Sequence, residues 1–496
     1  MTHHLSRRTF LAGSAVTAAG LAGVLSACST SKSGGSNPQL RYQFFTTQAL
    51  PDATVVQEAL NAHLKKAGAD FTIKLEPMDM DAFTKRMPLD FASGSAGDIF
   101  FTASWLNNYY TNASTGNFLA LDDLLPKHAP KLWASFPKNV WDAARVGGRI
   151  YGVPNAQLWP YRYGFLARQD IAEKYKLDLQ TLNTYEDLEP FLAAVKAGER
   201  GKTALYTDNT GAGLPWAAGV MDFDLIGATF GVAVRPDDAN LTVLNMYDTD
   251  EFRAACQLAR KWYKAGYMAT NAPSPADAGA AWANGQIMVQ LMQVRGTGLP
   301  AFPTVGKSLM DPWLTTSGVL GSITAVNRDT QSPERAVALL ERLNTDQDFY
   351  NLICFGVEGK HYAVTDKSLR RVGFPSGVTA ESDRYNPNTD WQFGNQFNAY
   401  YRDEAAAKAK LWDEQKKLNE SAKPSAALGF TADTDPVKTE VANVSAVVTE
   451  YQLRNFSGLV DPSTGVPEFV DRLKKAGIDK IIAEFQKQIG TWRESH

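Results

Sequence analysis

The chain has 496 residues, 44% of them hydrophobic and 21% charged, and a formal net charge of −3. That length and composition imply a globular protein with two large lobes or about three domains. No basic run or patch interrupts the near-balanced charge, which argues against nucleic acid as a partner.

The first element is a leader. His3, His4, Arg7 and Arg8 open it, and no acidic residue precedes Cys28. The Ala- and Gly-rich run from Phe10 to Leu25 is too short and too weakly apolar for a stable membrane span, which needs roughly 20 apolar residues. It suits the apolar region of a signal peptide. Ser6-Arg-Arg-Thr-Phe-Leu11 resembles a twin-arginine signal, and Leu25-Ser-Ala-Cys28 resembles a bacterial lipobox. The resemblance implies a signal peptide over 1–27 and cleavage before Cys28. It also implies a lipid on the Cys28 thiol that anchors the protein to the outer face of the cell membrane. Residues 28–37, rich in Ser and Gly, then form a tether that cannot bury enough apolar area to fold.

The body begins near Pro38. Arg41–Thr47 is expected as a strand. Pro51-Asp52 opens a helix with Val56, Leu60 and Leu64 four apart and Gly68 as its stop. Phe71–Leu75 alternates as a second strand, a helix follows near 82–91, and Asp98–Phe101 is a third strand. Strand, helix, strand, helix, strand predicts a mostly parallel sheet with helices on its faces. Ligands in such sheets lie beyond the carboxyl ends of the strands, which places Gln48, Asp52, Ser104 and Trp105 at the mouth of a cleft. Further strands are expected at Arg149–Pro154, Phe165–Arg168, Ala204–Thr207 and Gln286–Met292, and an extended crossing at Thr316–Asn327. Helices are expected over Thr184–Lys196, Phe252–Ala265, Ala278–Asn284, Ala405–Glu420, Val437–Ser457 and Pro467–Thr491, with another starting after Ser332-Pro333. Cys256 and Cys354 lie in apolar runs; they are either buried free thiols or a long-range pair.

Several strings resemble the extracellular solute-binding lipoproteins of ABC importers, in the large sugar-binding branch. They are Tyr151-Gly-Val-Pro154, Arg168-Gln-Asp170 before a helix, Ala283-Asn-Gly-Gln-Ile-Met288, Ser332-Pro-Glu-Arg-Ala336 and Phe355-Gly-Val-Glu-Gly-Lys-His-Tyr362. Phe374-Pro-Ser-Gly377 and Trp391-Gln-Phe-Gly-Asn-Gln396 follow in the same order. The resemblance implies an α/β, two-lobed periplasmic-binding-protein-like fold. Each lobe is then a mixed, mostly parallel sheet flanked by helices, joined to the other by hinge strands. The expected division is 38–155 with 319–378 for lobe 1 and 156–318 with 379–496 for lobe 2. The implied function is capture of an oligosaccharide outside the cell and delivery to ABC permease subunits, as a monomer, with no cofactor.

A sugar presents flat apolar ring faces and a rim of hydroxyls, so its site needs aromatic plates and amide or carboxylate partners. The expected cleft loops carry Trp105, Asn107, Asn108 and Tyr109, then Asn155, Gln157, Trp159, Tyr161 and Tyr163, then Asp208, Asn209 and Trp216, with Arg295, Trp313 and Trp391. Each aromatic among them is either a ligand plate or core. Tyr161 and Tyr163 alternate along an extended segment, which leaves at most one face for ligand. His361 reads as structural.

Enzymatic chemistry has little support. His63, His128, His361 and His496 are widely separated, and no Cys-x-x-Cys, phosphate loop or Gly-x-Ser-x-Gly elbow occurs. Asp433-Thr-Asp435 lacks a full calcium loop and reads as a helix entry. The alternatives that stay open are a receptor for a peptide or other small solute, an exported glycoside hydrolase acting through two converging carboxylates, and a surface adhesion protein.

Overall fold

The computed structural model describes residues 38–494 apart from 161, 208–212, 220–221, 227–230, 269–274, 295–301 and 381. The leader, the tether and Cys28 lie outside the described residues.

The first sheet has five strands in the order Thr72–Asp79, Gln39–Thr46, Ile99–Thr102, Ile323–Val326, Gly152–Pro154. The first three run parallel, Ile323–Val326 runs against them, and Gly152–Pro154, antiparallel to Ile323–Val326, returns to the direction of the first three. The helix Ala53–Lys66 buries Val56, Leu60 and Leu64 against this sheet, as their four-residue spacing requires. Phe44, Phe45, Ile73, Phe100 and Phe101 are all buried. Near-continuous apolar strands of this kind belong to a sheet covered on both faces.

The second sheet has the order Thr304–Ser308, Tyr163–Arg168, Ile287–Gln293, Thr203–Tyr206. Thr203–Tyr206 and Ile287–Gln293 are parallel, and Tyr163–Arg168 runs against its neighbours. A core of Phe165, Leu192, Leu205, Trp262 and Val289 covers it. A further core joins the small sheet at 224–245 to the helices Lys438–Phe456, Pro462–Ala476 and Ile478–Glu494. The helix Asp250–Ala265 links the two, since Phe252 and Cys256 enter one core and Leu258, Ala259 and Trp262 the other. Cys256 and Cys354 are both buried and free.

Several expectations differ. The stretch expected as one crossing at Thr316–Asn327 is a short helix, Thr316–Val319, followed by the strand. Ala405–Glu420 breaks at Lys410, which takes φ +52°, and Pro467–Thr491 breaks at Gly477, φ +104°; a left-handed residue ends a helix. Tyr385, Phe393, Phe397, Ala399, Tyr401 and Trp412 join the core of the first sheet, because the chain from Arg384 to Gln392 returns along the end of the first strand. Asp435–Val437 is a helical turn leading into Lys438–Phe456.

Candidate functional site

The parallel strands Gln39–Thr46 and Ile99–Thr102 end side by side, and their last aromatics are Phe45 and Phe101. The ring of Trp105, just beyond the second strand, stands 6.0 Å from Phe45 and 5.9 Å from Phe101. Trp391 closes the group, 5.8 Å from both phenylalanines and 6.0 Å from Trp105, with the indole planes inclined at 49°. Trp105 remains 49% exposed although its base is packed. Its Nε1 donates to the carbonyl of Gly321 at 2.8 Å, so the indole edge is satisfied and a face is left to solvent. An exposed indole on a rigid base is an apolar plate with one polar edge already used. The two tryptophans touch, so they form one shelf and leave no slot between them.

Beneath the shelf three chain crossings meet. Asn155 is buried and donates to Ser322 Oγ and to the Gln392 carbonyl, both at 2.8 Å, while accepting from Thr324 Oγ1 at 3.0 Å. Ser322 Oγ donates to the Trp391 carbonyl at 2.9 Å. The Ala156 amide donates to Gly394 O, and the Gln396 amide to Ala156 O, each at 2.8 Å. Asn155 therefore clips the crossings together through its full set of amide atoms, as a buried amide requires; it is a hinge residue, not an open ligand contact. Gln157 is also buried, and its carbonyl accepts from Asn419 Nδ2 at 2.6 Å.

The other expected residues are distributed as follows. Gln48 is exposed at the end of the first strand, and its Nε2 donates to Asn386 O at 2.5 Å. Asp52 is buried rather than open to a cleft. Lys360 Nζ lies 2.8 Å from it, Arg384 Nε 2.7 Å and His361 Nε2 3.3 Å. The Lys360 ammonium, against the cost of burial and with Arg384 and His361, holds the Asp52 carboxyl well below the usual carboxylate range. The Val357 amide donates to His361 Nδ1 at 2.9 Å, which leaves Nε2 as the donor toward Asp52. His361 is structural, as expected.

Asn107 takes φ +47° and donates to Phe101 O at 3.0 Å; Asn108 caps the helix Tyr109–Ser114 through the Thr111 amide at 2.9 Å. Both shape the turn behind Trp105. Tyr109 is fully buried, donates to Ala144 O at 2.7 Å and accepts from the Tyr151 amide at 3.0 Å; it is core, because its helix turns that ring inward. Trp159 is 6% exposed and packs with Val140, Ala143, Leu314 and Val319. Its Nε1 is bonded to Asn155 O at 3.1 Å, so it is hinge core and not a ligand plate. Tyr163 begins the second sheet and is half-buried against that lobe's core. Trp313 is half-buried, with the Lys423 ammonium 5.6 Å from its ring centre. Trp216 lies in the helix Leu214–Gly219, and its side chain is outside the described residues. Tyr161, Asp208, Asn209 and Arg295 are likewise outside the described residues.

The residues that sequence reasoning missed are Gly321, Ser322 and Gln392, which hold the shelf from below. Gln392 Nε2 reaches Phe45 O at 2.8 Å. Two sequence signals bear on them: the expected crossing Thr316–Asn327 contains Gly321 and Ser322, and the Trp391-Gln-Phe-Gly-Asn-Gln396 string contains Gln392. Among the described residues no group of three or more His, Cys, Asp or Glu is placed to hold a metal, and no helix is long and apolar enough to cross a membrane.

The profile of the bacterial extracellular solute-binding protein family matches residues 59–350, more than half of the chain. A domain of unknown function matches residues 426–494. A carbohydrate ABC transporter substrate-binding protein of Streptococcus pneumoniae is 26% identical over 451 residues, covering 86% of this chain and 84% of that one. The crystal structure of the N-glycan transport solute-binding protein of Streptococcus pneumoniae aligns with TM-score 0.79 at 21% identity, over 91% of this chain and 98% of that one. The same protein with Man5GlcNAc aligns with TM-score 0.71 at 22% identity, over 92% and 99%. An alginate-binding protein, AlgQ2, aligns with TM-score 0.58 at 16% identity, over 91% and 97%.

Proposed function

The chain belongs to the bacterial extracellular solute-binding proteins, and from that premise we propose that it captures an oligosaccharide on the Trp105–Trp391 shelf and delivers it to an ABC permease. The observation that carries this reading is the half-exposed Trp105 at the carboxyl ends of the parallel strands, packed from below and bonded at its edge to the hinge at Gly321. Covering such a face contributes on the order of 1–2 kcal/mol, so several contacts together reach micromolar affinity after the cost of ordering. The second lobe closes on the ligand about the crossings at Asn155 and Ser322; ligand favours that state because only there do both lobes touch it.

In this reading the first lobe comprises 38–155 with 319 to about 412, and the second the remainder of the body. From the sequence alone, Asp208, Asn209, Trp216 and Arg295 are the residues assigned to its contacts. The protein acts as a monomer, binds without turnover, and is held beside its permease by the lipid on Cys28, which raises the local concentration for delivery. The likeness to glycan-binding relatives supports mannose-containing oligosaccharides as the first ligands to try, with alginate fragments beside them.

Isothermal titration against that panel, with mass spectrometry of the recovered sugar, tests the reading. Saturable binding with intact sugar is expected. No binding across the panel, or cleaved product, overturns it. For the anchor, Cys28→Ala is expected to release the protein from membranes; retention would count against the lipid.

A further inference from the structure

Trp391 sits in the helical turn Asp390–Gln392, and the side chain before it carries a buried charge. Asp390 is 8% exposed. Arg402 grips both of its carboxylate oxygens, Nη1 on Oδ2 and Nη2 on Oδ1, the latter at 3.2 Å. The same Nη2 reaches Cys354 O and Asn386 Oδ1, each at 3.4 Å. The guanidinium lies 4.0 Å from the centre of the Phe355 ring. Tyr350 Oη donates to the Asp390 carbonyl at 2.7 Å. A two-toothed guanidinium–carboxylate pair fixes orientation as well as distance. A buried pair of this kind adds little net stability over an apolar replacement, and its best-attested use is to specify one arrangement.

We propose that the Asp390–Arg402 pair is a positioning device that sets the angle of Trp391 against Trp105, and through that angle the affinity of the shelf for its ligand. Neither residue belongs to the shelf face. Asp390 acts on Trp391 through one peptide unit, and Arg402 ties that unit to the helix Gln347–Phe355 by way of Cys354 O. The following two residues are held as well: Trp391 O accepts from Ser322 Oγ, and Gln392 Nε2 donates to Phe45 O at the end of the first strand. The turn is thus gripped at both ends, and the indole between them has little freedom to swing. This inference rests on the oligosaccharide reading for its effect on affinity but not for its effect on geometry.

The test replaces both charges at once, Asp390→Asn with Arg402→Gln, so that neither is left buried and alone; Arg402→Lys serves as the second variant. Two indoles 6.0 Å apart at 49° couple electronically. The circular-dichroism difference between the wild type and Trp391→Phe isolates that couplet among the eleven tryptophans. The double variant is expected to stay folded, lose the couplet without ligand present, and bind about tenfold more weakly. Arg402→Lys, which keeps charge but not the fork, should fall between. In a Trp391→Ala background the same double change should leave affinity within about twofold, since coupled residues act through one route. An unchanged couplet, or an equal loss of affinity in the Trp391→Ala background, overturns the proposal. If the wild type binds no oligosaccharide, the couplet alone decides: kept in the double variant, the positioning role fails.

Discussion

At the scale of single residues, two tryptophans that look alike in sequence have opposite surroundings. Trp105 is half-exposed on a packed base, whereas Trp159 is buried in the hinge with its Nε1 used. Trp105→Ala should weaken ligand binding about tenfold and lower the melting temperature clearly less than Trp159→Ala. Trp159→Ala should cost about 3–5 kcal/mol of stability through the cavity it leaves. Titration calorimetry and thermal melting on both variants separate the two; equal loss of stability would mean that Trp105 is core. Two buried acids also oppose each other. The Asp52 carboxyl, held low by Lys360 and its companions, contributes stability that is present above the unfolded value near 3.9 and is lost as pH falls below it. The melting temperature should therefore fall below about pH 4, and Asp52→Asn should remove much of that slope. Burial pushes the Asp224 carboxyl up to about 6, partly offset by the Ser425 hydroxyl. A raised carboxyl favours the fold while protonated and loses that advantage as pH rises toward about 6. Asp224→Asn should accordingly raise the melting temperature at pH 7 and change little at pH 4.

At the scale of elements, the hinge depends on close backbone approach. A Cβ on Gly394 would lie 2.3 Å from the Leu343 carbonyl oxygen, and the residue takes φ +41°. Gly394→Ala should cost about 2 kcal/mol or more, read by denaturant melts, because both strain and the Ala156 pairing are disturbed. A neutral result would show that this crossing yields easily. Much of the element pattern was legible: Val56, Leu60 and Leu64 named a helix face, and the strands around Phe44, Ile73 and Phe100 announced a covered parallel sheet. Less was legible where a single residue starts or ends a helix. Lys410 has no sequence signature for its left-handed turn, and Thr316–Val319 reads as extended because its β-branched residues favour strands, whereas the Thr315 Oγ1 cap on the Gly318 amide sets a helical turn. The surroundings of the expected site residues were less legible: Tyr109 and Trp159 turn inward and Asn155 is a buried clip, whereas Trp105 stays half-exposed. Which way a ring faces is set by partners far along the chain, such as Ala144 for Tyr109 and Leu314 for Trp159, and local sequence does not carry those.

At the scale of the whole molecule, the first core draws on the chain before residue 157 and again after residue 319, so the chain crosses between sheets more than once. In the proposed function, the short crossings clipped by Asn155, Ser322 and Gln392 serve as the hinge, and the Trp105–Trp391 plate becomes a closed site only when the other lobe swings over it. Small-angle X-ray scattering of the body with its best-binding oligosaccharide tests that most directly. The radius of gyration is expected to contract in step with the binding isotherm, and the contraction to disappear in Trp105→Ala at the same sugar concentration. Tight binding with an unchanged scattering profile, or contraction that survives Trp105→Ala undiminished, would contradict it.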